Sequence, residues 1–318
     1  MRALFALTVN ELIKIFSRPR ASIVMIVIVV LVGISAFISY KEAPKINESD
    51  WRDEVQTNIQ NTKDELNQAK QENLPEDLQN VILQDLQLYE YYLENDISPY
   101  EQNVWGFMED NGYILFLIII FSIIVASDTM SNEYSRGTIK SLLLLPVNKW
   151  KIVISKFLSC VLLAGLLIMI WFTSSFIVGG IVFGGIHKLN TISITMSHFG
   201  MQKIPTIEYI LKNVSFNFVN CIIFISLSIM ISTLFRSNSL ATTTSILLFI
   251  GSSIVYNLLD TIEGIKYTII AHLNLNEFMY SNVNSFGFNL LTSLSIILVH
   301  LCLFQFITIY FFKRDSKG

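Results

Sequence analysis

Asp128-Thr-Met-Ser-Asn-Glu-Tyr-Ser-Arg-Gly-Thr-Ile-Lys-Ser-Leu-Leu-Leu-Leu-Pro-Val-Asn-Lys-Trp-Lys-Ile-Val-Ile-Ser-Lys156 is an island of charge and turn chemistry between two strongly apolar segments. Glu133, Arg136 and Lys140 stand at helical spacing, and Gly137-Thr138 interrupts that helix or tightens its packing. The apolar run Leu142 to Leu145 is cut by Pro146, which cannot continue a helix without losing a backbone bond. Lys149, Lys151 and Lys156 follow at the mouth of the next apolar run. Basic flanks alone are common beside membrane helices; this order of acid, Gly-Thr, leucines, proline and lysines is a more specific pattern.

The order resembles the cytoplasmic loop of the ABC-2 type transporter permeases. Glu133, Gly137, Thr138, Leu142, Leu143, Pro146, Lys149 and Lys156 occupy the matching positions. Asn148-Lys149 stands where that family often has Ser-Arg, and the positive charge is retained. The resemblance implies that residues 128–151 form a coupling loop docking on a separate cytoplasmic ABC ATPase. Glu133, Arg136 and Lys140 would then form a charged rim around Leu142, Leu143 and Leu144. It also implies a second permease copy or a sister permease as partner. ATP and Mg would be bound by the ATPase, with no cofactor on this chain.

Composition sets the class independently. The 318 residues are 52% hydrophobic and 15% charged, with a mean hydropathy of +0.53, whereas soluble domains carry about a quarter charged residues. This describes an integral membrane protein; together with the resemblance, the fold expected is all-α in the cell membrane. The net charge of −3 says little, because the charges are segregated by region. Cys160, Cys221 and Cys302 fall inside apolar runs and read as packing residues, not a disulfide framework. The first apolar run lacks the features of a cleavable signal peptide.

Residues 1–20 read as an interfacial helix, with Leu4, Phe5, Leu7, Leu12, Ile13 and Phe16 at roughly helical spacing and Pro19 ending it. A simple extension of the first span is the alternative. Six spans are expected, since about 20 apolar residues cross the hydrocarbon. They are Ala21–Tyr40, Tyr113–Ser127 with a Trp105–Met108 approach, Ile152–Phe183, Val214–Phe235, Leu240–Leu258 and Leu290–Phe312. Gly179-Gly180 and Gly184-Gly185 are expected to break the third. The resulting division is 1–20, the first span at 21–40, an outer loop at 41–110 and five further spans within 111–318.

The Lys and Arg residues within 2–20, 136–156, 236 and 313–317 fall on one side of a six-span chain. The positive-inside rule makes that side, and both termini, cytoplasmic. The acidic loop 41–110 reads as an extracellular helical hairpin, Ser49–Asn73 and a second helix from Pro75, each too thin in apolar surface to stand alone. Its charge is most simply a solvated face. His187 and His198 lack ligand spacing, and 261–281 resembles the short outer helices that such permeases place before their last span.

No Gly-x-x-x-x-Gly-Lys-Ser/Thr loop occurs, so ATP hydrolysis is not expected of this chain. Hydrolase motifs are absent too, and charges inside the spans are nearly so, which disfavours an ion-coupled carrier. Nothing points to nucleic acid. Thr242, Ser245, Phe249, Ser252 and Tyr256 share one face of the fifth span. Two readings stand for that face: a translocation path or subunit seam, or hydroxyls bonded back to their own helix carbonyls. The function expected is the permease of an ATP-driven exporter of a drug, antimicrobial peptide or envelope-related substrate. The alternative is a membrane sensor or scaffold using the hairpin to detect a ligand. The loop charges yield a direct test: single cysteines at Gln68 and at Asn148, in a cysteine-free background, label from opposite sides of intact cells. Labelling from the same side contradicts six spans.

Overall fold

Helix α1 (Arg2–Phe16) and helix α2 (Pro19–Glu42) meet at a sharp joint. Ser17 and Arg18 close the last turn of α1, with Ser17 N–H bonded to Ile13 O and Ser17 Oγ to Lys14 O. Pro19 does not end α1, as expected from the sequence, but opens α2; a first helical position needs no N–H and suits its fixed φ. The computed structural model describes residues 2–42, 51–96, 98–99, 103–144, 146–186, 192–197, 200–259, 266–279, 283–284 and 286–314.

The remaining helices are α3 (Trp51–Gln71), α4 (Glu76–Glu94), α5 (Val104–Asp110), α6 (Ile114–Ser135), α7 (Ile139–Leu144), α8 (Lys149–Val182), α9 (Thr206–Phe235), α10 (Asn238–Leu259) and α11 (Leu290–Arg314). Among the described residues, five stretches are long and apolar enough to cross a membrane: α2, Val104–Ser135, α8, α9 and α11. The sixth expected span is helical throughout, as the 22-residue α10.

The membrane class shows in how the helices are turned. In α11, Leu291, Leu298, Phe306 and Tyr310 are exposed while Ser293, Gln305 and Thr308 are buried. In α2, Ile23, Ile26, Val30, Ile34 and Phe37 face outward while Ala21, Ile28, Val32 and Ala36 pack inward. Water rejects such an outer surface and lipid accepts it.

The chain forms two compact units. The first comprises Met1–Val32, Gly112–Ser174 and Leu211–Gly318. Within it, α6 packs on α10, and Gln305 of α11 donates to Ser226 Oγ of α9 at 2.8 Å. Before α11, two 3-10 turns, Ile269–His272 and Leu275–Met279, are pinned by buried His272, which contacts Ser293 Oγ and Lys266 O at 2.9 Å each.

The second unit comprises Gly33–Asn111 and Ser175–Ile210. In it α3 and α4 lie antiparallel. Trp51, Val55, Leu66, Ala69 and Leu86 are buried, and Lys63–Glu90 (2.9 Å) and Arg52–Asp96 pair beside them. An all-α fold does not allow for the antiparallel pair β1 (Ile192–Ser197) and β2 (Gly200–Pro205) found here. Their alternating, β-branched Ile192-Ser-Ile-Thr pattern suits a strand. Ser193 Oγ donates to Glu109, and the Lys203 ammonium lies 3.7 Å from the Tyr91 ring. His187 and His198 lie outside the described residues.

Gly179-Gly180 does not break α8, contrary to the sequence expectation; the helix runs through to Val182, and Gly184 and Gly185 take positive φ after it. What glycine provides at 179 is closeness. A Cβ there would stand 2.7 Å from Phe107 Cδ1 and 3.2 Å from Val104 Cγ2. Gly179→Ala is therefore expected to destabilise by about 1–3 kcal/mol, as overpacking does. Gly33→Ala, with nothing within 4 Å of its Cβ, leaves stability unchanged or raises it by about 0.5–1 kcal/mol. Thermal unfolding in detergent checks the pair.

Candidate functional site

The charged island is not a loop throughout. Helix α6 continues from the apolar core through Ser135, so Asp128 to Ser131 form a buried helical face. The helix stops where Arg136 caps it and Gly137 takes φ +68°. That left-handed turn favours glycine, because a Cβ would crowd the next carbonyl. Thr138 then donates its hydroxyl to the Glu133 carboxylate. Six residues of α7 follow, and α8 resumes at Lys149 after exposed Pro146.

Starting α8 at Lys149 carries Lys156 two turns inward, onto a face with Ile152, Val153 and Phe157. Its side chain is 0% exposed. Its ammonium donates to Glu11 Oε2 at 2.9 Å, Glu133 Oε1 at 3.1 Å and Thr129 O at 3.2 Å. Lys14 closes the cluster, 3.0 Å from Glu11 Oε1 and 3.1 Å from Glu133 Oε1. Two ammonium and two carboxylate groups thus hold α1, α6 and α8 at one point. Burial draws the Lys14 ammonium down, but its bonds and charge contacts with Glu11, then Glu133, outweigh that and hold it above its ordinary value.

A second cluster lies beside the first. Buried Asp128 of α6 pairs with Arg20 and, at 3.6 Å, with Arg18, and it accepts from the Asn238 carboxamide at the start of α10. Ser127 donates to Asn238 Oδ1 at 2.9 Å and meets the Thr242 hydroxyl, while Ser232 of α9 donates to Ser127 O at 2.7 Å. The joint between α1 and α2 is thereby tied to α6 and α10. A cavity of about 60 Å³ lies between the clusters, over Val24 and Phe121.

Of the expected docking residues, Glu133 and Lys156 point inward and are consumed by the cluster. Arg136 and Pro146 are exposed, Leu142 and Lys149 are half-buried, and Leu144 is 84% exposed. The side chains of Lys140 and Leu143 lie outside the described residues. Glu11, Lys14, Arg18, Arg20, Asp128 and Asn238 were not singled out by sequence reasoning as site residues. The available signal was a carboxylate, Glu11, between the apolar Val9 and Leu12, and a lysine well inside an apolar run, since such charges must pair.

The α10 face is divided. Thr242 bonds across to Ser127 and along to Asn238 Oδ1 at 3.0 Å. Ser245 is buried with no partner for its hydroxyl. Phe249 packs between Phe116 (centroids 4.8 Å) and Phe224 (5.0 Å), and Ser252 bonds back to Phe249 O. Phe249 and Ser252 line a cavity of about 200 Å³. The Tyr256 side chain lies outside the described residues.

Comparison with known proteins adds a family. Residues 7–316 match the family described as ABC-2 family transporter protein. The chain is 26% identical over 317 residues to the uncharacterized protein YhcI of Bacillus subtilis, covering 96% of this chain and 97% of that one. It is 20% identical over 221 residues to the uncharacterized membrane protein YdbK of the same species, covering 68% and 85%.

The buried cluster makes a sharp prediction. Lys156→Met leaves Glu11 and Glu133 facing one another with one partner removed, and is expected to cost about 3–5 kcal/mol. Replacing Glu11, Glu133 and Lys156 together by Leu, Met and Met restores most of the loss, because no fully buried charge is left unpaired and Lys14, 42% exposed, turns to solvent. Melting temperatures of the single and triple variants check it; additive losses contradict a shared network.

Proposed function

The chain belongs to the ABC-2 family of transporter proteins, and from that premise we propose that it is the membrane subunit through which a separate cytoplasmic ABC ATPase drives export. Two such subunits pair, as a homodimer or with a sister permease, over two ATPases that bind ATP and Mg. Helix α10 supplies the sixth crossing, and the arginine- and lysine-rich ends lie in the cytoplasm with both termini. The substrate is a drug, an antimicrobial peptide or an envelope component.

The observation that carries this reading is the placement of α7. It is short, held between Gly137 and Pro146, and its last leucine is almost fully exposed. An apolar side chain facing outward beside charged Arg136 fits a protein-binding surface. On either flank, its chain runs directly into α6 and α8, whose ends share Lys156 and Glu133. A push on α7 therefore reaches α6 and α8 together, and Glu11 passes it to α1.

Leu144→Asp separates docking from folding. The side chain is already exposed, so the change costs the permease itself less than about 0.5 kcal/mol. In the docked complex it buries a carboxylate against an apolar socket, at a cost of several kcal/mol. The expected result is normal membrane insertion with loss of co-purification with the partner ABC ATPase, and loss of its stimulated turnover. Unchanged co-purification and turnover place the docking surface elsewhere.

A further inference from the structure

In the first unit, the cavity of about 200 Å³ is walled by three aromatic rings, Phe116, Phe224 and Phe249, and floored by carboxamides of α9 and of the segment before α11. No Asp, Glu, Lys, Arg or His is among its described lining residues. Asn217 and Asn220 of α9 stand one turn apart on a helix otherwise apolar enough to cross a membrane. Polar side chains are costly there and are retained where they bind something.

The hydrogen-bond inventory gives the polarity of this site. Asn217 Nδ2 donates to Asn213 O at 2.9 Å and to Asn213 Oδ1 at 2.7 Å. Asn274 Nδ2 donates to Glu277 at 3.2 Å, and Ser252 Oγ to Phe249 O at 2.6 Å. The donors of Asn217, Asn274 and Ser252 thus turn toward protein acceptors. Asn220 Oδ1, by contrast, is buried without any partner. A buried acceptor left unmatched costs about 1–3 kcal/mol, and such groups call for a specific explanation. The cavity thus offers acceptors and ring faces, and no charge.

We propose that this cavity is a ligand site for an uncharged molecule, or segment of one, presenting a flat ring with N–H or O–H donors. The volume admits one substituted ring. Three phenyl rings already 4.8–5.0 Å apart in pairs supply stacking and edge contacts for a fourth. The donor of the ligand satisfies Asn220 Oδ1. An anionic group is excluded, because no Lys, Arg or His is among the described lining residues to offset its burial. The proposal rests on the reading of the chain as a transport subunit and narrows its substrate: Phe249 and Ser252 of the expected path contribute here, while Thr242 is locked into the α6 contact.

The test uses the full-length chain in lipid nanodiscs without ATPase, and N-acetyltyrosinamide as the neutral probe, with N-acetyltyrosine as its ionised counterpart. Saturation-transfer NMR is expected to show magnetisation reaching the ring protons of the amide and not of the carboxylate. Asn220→Leu, close in volume but without the acceptor, weakens binding about tenfold. Ser252→Leu, which fills the cavity from a position whose hydroxyl bonds only its own helix, abolishes it. Size-exclusion profiles identical to the parent establish that each variant is folded. Absence of transfer to the neutral probe, equal binding of the carboxylate, or unchanged binding in the folded variants overturns the proposal. Because no ATPase is present, such a failure leaves α7 docking intact, and failed docking leaves this binding result intact.

Discussion

A fully buried ammonium at Lys156 is the constraint on which one end of the bundle depends. An uncompensated charge at that depth is untenable, and the effective penalty even after relaxation is several kcal/mol per ion. The chain meets it with two carboxylates and a carbonyl, brought from α1, α6 and α6 again. None of those groups is near Lys156 in sequence except through the fold, so the cluster specifies which helices meet. It is weak evidence for net stability, since an apolar triad would pack as well. Its consequence is registry: α1 cannot slide along α8 without separating Glu11 from Lys156.

The hydroxyls and carboxamides of the first unit extend the same logic. Ser127, Ser232, Asn238 and Thr242 form a continuous chain of bonds across α6, α9 and α10. In lipid there is no hydrophobic drive between helices, so small residues and cross-helix hydrogen bonds provide adhesion. In the first two turns of α10, Asn238 and Thr242 are spent on this adhesion, while Ser239, Leu240 and Thr243 face outward.

How much of this was legible follows from what each signal measures. Hydropathy runs located α2, α8, α9 and α11 well, because crossing lipid demands length and apolarity together. Boundaries failed where a residue has two uses. Pro19 both ends and begins helices, and only the Ser17-Arg18 turn decides which. Gly179-Gly180 reads as a break, yet Phe107 and Val104 approach so closely that glycine serves contact there. The pair β1 and β2 is a local antiparallel ribbon in a polar segment, which hydropathy windows pass over. Lys156 read as a positive flank because its sequence neighbours Lys149 and Lys151 are flanks; its inward turn depends on where α8 starts. Glu11 read as the wet side of an interfacial helix. In the fold that side faces α6 and α8, and the exposed side is Phe5, Val9, Ile13 and Phe16.

The quoted island therefore contains two populations with opposite requirements. Asp128, Thr129 and Glu133 belong to the interior and take their meaning from α1, α8 and α10. Arg136, Gly137, Thr138, Ser141, Leu144 and Pro146 belong to the outside. Gly137 divides them, since its positive φ turns the chain out of α6 within one residue, and Thr138 bonds the turn back to Glu133. Glu133 is thus bonded on one side to the turn that leads to α7 and on the other to Lys156 of α8. A displacement at α7 strong enough to disturb the Thr138 contact acts on the same carboxylate that neutralises the buried ammonium. Helices α6 and α8 then have two options, to move together or to expose a charge to an apolar surrounding, and the second is far more costly.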